Sequence, residues 1–261
     1  EQALYTPAKT DARPFFVTPW RDYYWVGTTD IPHEDPDTAL PTEKETDYLL
    51  TELGYLLPDL GYTRDDIYYA LTGVRPLPKH DFENPGAITR RHIIFDHEKQ
   101  DGVAGLLSII GGKLTTYRHL AEETVDAVYR KLDRKAPPCP TGDRPLPGYG
   151  EVDRPASVDE ALWDHLHAIY GRRAAGILVL ANREPAWAER LDPQLPDIGA
   201  QVIWGCRHEH CKHIDDFMLR RTGIGTGHTE GFGCLEKVAD LMAEELGWTP
   251  EQRQADIDAY R

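Results

Sequence analysis

The sequence predicts an α+β first part followed by an all-α second part, and three observations carry that expectation. Residues 13–30 hold two aromatic and β-branched runs around a polar break, the pattern of a β-hairpin. Apolar residues recur at three-and-four spacing from Tyr117 to Leu132, which marks one face of an amphipathic helix. Beyond the proline- and glycine-rich stretch APPCPTGDRPLPGYG, residues 136–150, the chain turns to Ala, Leu, Glu and Arg with helical periodicity. The organisation expected is residues 1–136 as the first part, 137–150 as a linker and 151–261 as a helical C-terminal domain.

Taken in order, PFFVTPW and YYWVG supply the two strands of the hairpin. Thr42, with Glu45 three residues on, is a capping box that opens a helix through Tyr48, Leu49, Leu56 and Leu57, and Pro58 limits it. The segment DDIYYALTGVRPL after Gly61 is rich in β-forming residues and is expected to turn at Arg75-Pro76. A second hairpin is expected from Ile88 through Ile93, Ile94 and Phe95, with a turn near Gln100-Asp101-Gly102 and a buried strand from Gly105 to Ile110. The helix from Tyr117 follows directly on Gly111-Gly112-Lys113. Helical segments are then expected near 157–170, 171–182, 197–220, 233–246 and 250–260.

Composition narrows the function classes. With 44 acidic and 29 basic residues, the formal charge of −15 argues against a nucleic-acid partner and against direct docking on anionic lipid. Arginines clustered in so acidic a chain are candidates for an anionic ligand, set against the plainer reading that each pairs with a surface carboxylate. The 4 cysteines, Cys139, Cys206, Cys211 and Cys234, are irregularly spaced and read as reduced thiols. No apolar run approaches the roughly 20 residues of a membrane span, and Glu1-Gln2-Ala3-Leu4 has no signal-peptide character. A cytoplasmic protein is expected.

The junction at Gly111-Gly112-Lys113 is the strongest local signal. Glycines at a strand end let a ligand approach the backbone, and the following helix start offers unpaired N–H groups beside the Lys113 charge. It is not a P-loop, because Leu107 and Leu114 stand where that pattern needs Gly and Ser or Thr. Standing alone, such a junction is more often only a turn. A second candidate is Cys206, His210 and His213, which would share one face if residues 197–220 formed a continuous helix and would then present metal-type ligands; a polar helix face explains the spacing equally well.

The run SIIGGKLTTYRHLAEETVD resembles the block that closes the flavin site in FAD-dependent glycerol-3-phosphate dehydrogenases. TPW through VGTTD (Thr18 to Asp30), GVRPL (Gly73 to Leu77) and AITR (Ala87 to Arg90) are similar to three more blocks of that family, in the same order. DDFMLRRTGIG, Asp215 to Gly225, resembles its helical-domain signature, and the likeness is weakest from Tyr149 to Trp204.

The resemblance implies an antiparallel substrate-domain sheet, the last strand and helix of an FAD domain, and the helical domain. It implies oxidation of sn-glycerol 3-phosphate to dihydroxyacetone phosphate by hydride transfer to FAD, with a quinone or other electron acceptor. By position in the family blocks, Arg13, Arg75 and Arg90 bind substrate, and Arg75 and Lys113 act at the reacting centre. Gly111, Gly112, Lys113, Leu114 and Thr115 contact FAD, while Thr28 and Thr29 are more readily structural. Arg91 stands where the family often has an acidic residue, which leaves open whether Arg90 or Arg91 faces the site.

No G-x-G-x-x-G fingerprint occurs, so the first half of the flavin site is expected upstream of Glu1 and the isolated chain is expected to be inactive. The alternatives are an oxidase that uses O₂ and a non-catalytic helical interaction or metal-binding module. An iron–sulfur variant lacks a cysteine at Gly227. Peripheral attachment at the inner face of the cell membrane and homodimerisation are the further partner expectations.

Overall fold

The computed structural model describes residues 2–75 and 91–261. The expectations for Pro76, Leu77, Ile88 and the AITR block, Arg90 included, lie outside the described residues. The chain divides into two compact units, Glu1–Arg144 and Pro145–Arg261.

The first unit opens with a three-stranded antiparallel sheet in the order β1 (Leu4–Pro7), β2 (Pro14–Trp20), β3 (Tyr23–Gly27). The β2–β3 hairpin turns at Arg21-Asp22, where Arg21 takes φ +55°, and its register pairs Phe16 with Gly27. Alternation on β2 sends Phe15 and Val17 inward. They meet Leu53 of α1 (Glu43–Leu56), with Tyr48, Leu49, Leu56 and Val26 around them, to form a small core. The capping box of α1 forms in both directions: Glu45 N donates to Thr42 Oγ1 and Thr42 N donates to Glu45 Oε2 at 3.1 Å.

A buried carboxylate fastens this helix to the sheet. Glu52 accepts from the amides of Lys9 and Thr10, in the β1–β2 loop, and from the Thr10 hydroxyl. Burial raises its pKa, but those three donors outweigh it and hold the carboxyl below its ordinary range.

The segment after Gly61 departs from expectation. It forms a 3-10 turn at Arg64–Asp66 and then irregular chain, not strand. Its aromatic rings dock instead of its backbone: Tyr68 meets Tyr23 edge-on at 5.5 Å and Tyr69 meets Trp25 at 6.1 Å. The β-formers of that run are spent on ring contacts, so propensity misleads there.

The second hairpin pairs β4 (Ile93–Asp96) with β5 (Leu107–Ile110), joined through the single turn α2 (His97–Gln100). The expected buried strand is only half-buried, with Ile109 47% exposed, because in the described residues it belongs to a two-stranded sheet. A 3-10 turn, Leu114–Thr116, precedes α3 (Tyr117–Lys131). The apolar stripe of α3 holds no fully buried residue, and Val125, Val128 and Leu132 are exposed.

The second unit is a closed helical domain. Its helices are α4 (Glu160–Tyr170), α5 (Ala174–Ala181), α6 (Pro185–Ala188), α7 (Gly199–His208), α8 (Ile214–Arg220), α9 (Leu235–Leu246) and α10 (Pro250–Tyr260). Leu166, Ile177, Ile203, Phe217, Leu235, Val238, Met242 and Ile257 share one core. Each such side chain contributes about 1.5–3 kcal/mol on burial.

The continuous helix expected over 197–220 is broken in two. His210 takes φ +56°, and the Cys211 amide returns to Gly205 O at 3.1 Å, closing α7. Restart at α8 is fixed by Asp216, whose Oδ2 accepts from the Lys212 and His213 amides at 2.9 and 3.1 Å. Most of the DDFMLRRTGIG signature is thus architectural: Asp216 caps, Phe217 and Met218 fill the core, and the Thr222 hydroxyl donates to Phe217 O at 3.0 Å.

Candidate functional site

The candidate site is in the first unit and has two parts. One is the sheet end where β2 begins and β3 finishes. Because Phe16 pairs with Gly27 and Pro7 with Pro14, the register puts Arg13 and the Thr28-Thr29-Asp30 tail at the same end of the sheet.

Arg75 is tied to that end by an ion pair with Asp30 at 2.5 Å. The pairing leaves other N–H groups of the guanidinium fork for a further acceptor. Arg13 is engaged within its own loop: Nε donates to Asp11 Oδ2 at 2.8 Å, and the guanidinium carbon lies 5.4 Å from the Tyr48 ring centre. Tyr48 donates its hydroxyl to the other Asp11 oxygen at 3.0 Å. Burial and that bond push the Tyr48 phenol up to about 12.

Thr29 has a structural contact, donating to Glu45 Oε1 at 2.6 Å and so joining the strand end to the start of α1. Burial raises the Glu45 pKa, yet the bonds from Thr29 and Thr42 outweigh it and keep the carboxyl below its usual range.

The other part is the turn after β5. Gly111 and Gly112 both have positive φ, +74° and +107°. The second value lies where side-chain-bearing residues are strained, so the chain can turn here only through glycine. A Cβ on Gly112 would touch His92 Cβ and Leu120 Cδ2, each at 3.5 Å.

Lys113, Leu114 and Thr115 follow on the surface, and Leu114 is 89% exposed. Among the described residues no side chain caps the 3-10 turn that begins there. Among the described residues Lys113 carries no ion pair.

Three residues that the sequence did not single out brace this turn. His92 Nε2 lies 2.5 Å from Glu123 Oε2, and His119 Nε2 lies 3.0 Å from Glu123 Oε1. The bond to His92, ahead of the effects of burial and the neighbouring charges, lowers the Glu123 pKa. The positive charge of Arg91 is the last of the influences that lower the Glu123 pKa. The separation of 31 positions between His92 and Glu123 hides the link from any local spacing. Asp30, by contrast, closes the VGTTD run, and its place there was the available signal.

The structure therefore gathers Arg13 and Arg75 at one sheet end and Gly111 through Thr115 at one turn. No hydrogen bond or ion pair among the described residues joins the two groups. The metal-type arrangement is not formed: α7 ends at His208, so Cys206, His210 and His213 do not share a helical face. No group of three or more metal-type ligands occurs among the described residues. Burial pushes the Cys206 thiol up to about 11 and Cys211 to about 12, away from the thiolate that a metal needs.

Comparison with known proteins matches residues 107–253 to the family described as "C-terminal domain of alpha-glycerophosphate oxidase" and residues 1–118 to "FAD dependent oxidoreductase". Glycerol-3-phosphate dehydrogenase of Synechocystis sp. is 42% identical over 99% of this chain and 48% of its own length. The human mitochondrial glycerol-3-phosphate dehydrogenase is 30% identical over 99% of this chain and 37% of its own. The structure of the Bacillus halodurans glycerol-3-phosphate dehydrogenase complexed with FAD superposes with a TM-score of 0.78 at 28% identity, covering 99% of this chain and 52% of that one. The chain spans about half the length of the first of these relatives and of that structure. On these matches, the chain belongs to the family described as "C-terminal domain of alpha-glycerophosphate oxidase", with its first part similar to "FAD dependent oxidoreductase".

Proposed function

We propose that this chain forms the part of an FAD-dependent glycerol-3-phosphate dehydrogenase that holds the phosphate of sn-glycerol 3-phosphate and closes one side of the flavin site. The observation that carries the reading is the paired left-handed glycines at Gly111-Gly112, followed by a turn and by Lys113 that among the described residues have no side-chain cap and no ion pair. That surface offers bare backbone and positive charge to an electron-rich ring, which fits a flavin. When bound, the flavin supplies the hydride acceptor.

Gly111, Gly112, Leu114 and Thr115 contact the cofactor through main chain. Lys113 supplies positive charge where negative charge develops on the substrate oxygen and the reduced ring. Arg75, oriented by Asp30, donates to substrate nearest the reacting carbon. Arg13 and Arg90 complete the phosphate clamp in this reading, and Arg13 takes on substrate by exchanging its bond to Asp11.

The relatives carry dehydrogenase names, which favours an acceptor other than O₂. A membrane quinone fits that role. Peripheral attachment at the inner membrane face and a homodimer belong to the same proposal, with a cytoplasmic setting supported by four free cysteines. No described helix is long and apolar enough to cross a membrane.

The test is a calorimetric titration of the chain with sn-glycerol 3-phosphate and, separately, with FAD. Saturable substrate binding that R75Q weakens, and FAD binding that K113Q weakens, are expected. Substrate binding indifferent to both R75Q and R13Q overturns the clamp.

A further inference from the structure

The loop Pro145–Gly150 and the arginines Arg172 and Arg173 enclose an open concavity of about 630 Å³ in the second unit. It is a shallow depression open to solvent, and it is lined by parts of the chain that the flavin reading does not use.

Its frame is rigid for a steric reason. Arg172 N donates to Gly148 O at 2.9 Å. A Cβ on Gly171 would lie 2.1 Å from that carbonyl oxygen, and one on Gly148 would lie 2.9 Å from Tyr170 O. Two backbones touch where no side chain fits. The arginine stems then lie across the loop: Arg173 Cδ is 4.0 Å from the Cβ position of Gly148, and Arg172 Nη1 is 4.0 Å from that of Gly150.

In this chain of net charge −15, cations such as Arg207 and Arg253 are paired with carboxylates. Among the described residues neither Arg172 nor Arg173 forms an ion pair, although Glu151 follows the loop directly. Arg172 and Arg173, neighbours in sequence, both line the concavity, and two guanidinium groups together would supply the charge and the donors that a phosphoryl dianion takes. The exposed ring of Tyr149 and side chain of Leu146 stand at the same rim to receive an apolar portion.

We propose that this concavity is a second anion site, which binds a phosphoryl-bearing ligand through Arg172 and Arg173. Its lining residues belong to the second unit and include neither Arg13 nor Arg75.

The test titrates the chain with inorganic phosphate and pyrophosphate at constant ionic strength, followed by calorimetry and phosphorus NMR. A parallel arm sediments the chain with phosphatidic acid vesicles and with neutral phosphatidylcholine vesicles. Saturable phosphoryl binding is expected, weakened at least about tenfold in the double variant R172Q/R173Q and kept in R75Q and in R183Q, which alters an exposed arginine elsewhere. Circular dichroism checks that the double variant folds. Binding to phosphatidic acid vesicles alone, lost in the double variant, assigns the phosphoryl group to a lipid. No saturable binding to either source, or binding that survives R172Q/R173Q, overturns the site. Loss in R75Q alone assigns the signal to the clamp and likewise overturns it.

Discussion

His92 and Glu123 meet at 2.5 Å beside Gly112, where an added Cβ would lie 3.5 Å from both His92 Cβ and Leu120 Cδ2. The pair ties the start of β4 to the middle of α3. Glu123 also reaches His119, four residues earlier on the same helix, so one carboxylate joins the residue before β4 to the helix that follows the Gly111–Lys113 turn. The substitution E123A removes both bonds. Faster amide hydrogen exchange at Gly111–Leu114 is expected, with E123Q restoring part of the protection; unchanged exchange there would show that backbone geometry alone holds the turn.

Gly112 itself is the stricter requirement. At φ +107° an alanine is strained whatever space surrounds it, and the neighbours at 3.5 Å are ordinary contacts that need not move. The expected cost of G112A is about 1–3 kcal/mol, measured by urea denaturation of the first unit's transition. A neutral result would show that the turn shifts to accept a side chain.

Glu52 couples stability to pH. Its folded pKa lies below the ordinary carboxylate value, so its contribution is full above the unfolded pKa of about 4.3. That contribution is lost as pH falls through the folded pKa, where the unfolded chain holds the extra proton. Substitution E52A leaves the part-buried Lys9 and Thr10 amides without their charged acceptor, a cost of about 1–3 kcal/mol. Denaturation at a series of pH values is expected to show a flatter acid limb in E52A than in the parent.

His213 works in the opposite sense. The bond to Asp256 at 2.7 Å raises its pKa, ahead of a small opposing effect of burial. Its contribution is full below the unfolded histidine pKa of about 6.5 and disappears as pH rises through the folded value. Because the imidazole is largely exposed, solvent screens the gain. NMR titration of the imidazole is expected to move toward the ordinary value in D256N.

The thiols separate by burial. Cys206, Cys211 and Cys234 are buried, with burial pushing them up to about 11, 12 and 11, whereas Cys139 is partly exposed. One thiol is expected to react quickly with a disulfide reagent under native conditions and all four after denaturation, counted by released chromophore. Fast reaction of two or more native thiols would contradict the closed core of the helical unit.

Local chemistry determined a good part of this protein from sequence alone. The Thr42 and Glu45 capping box, the β2–β3 hairpin, the α3 periodicity and the Gly111-Gly112 turn each depend on residues a few positions apart, so the pattern states the geometry. The four ordered blocks carried the family for the same reason: each is a short run whose residue types suffice to identify it.

Tertiary structure decided what distance along the chain conceals. The seat of Tyr68 on Tyr23 turned a β-rich run into irregular chain, and the left-handed His210 broke one expected helix into two. The pairings Arg75 with Asp30, His92 with Glu123 and Glu52 with Lys9 and Thr10 join residues 45, 31, 43 and 42 positions apart. Such contacts form because packing brings two surfaces together and leaves one carboxylate as the available acceptor, a choice that no periodicity in the sequence encodes.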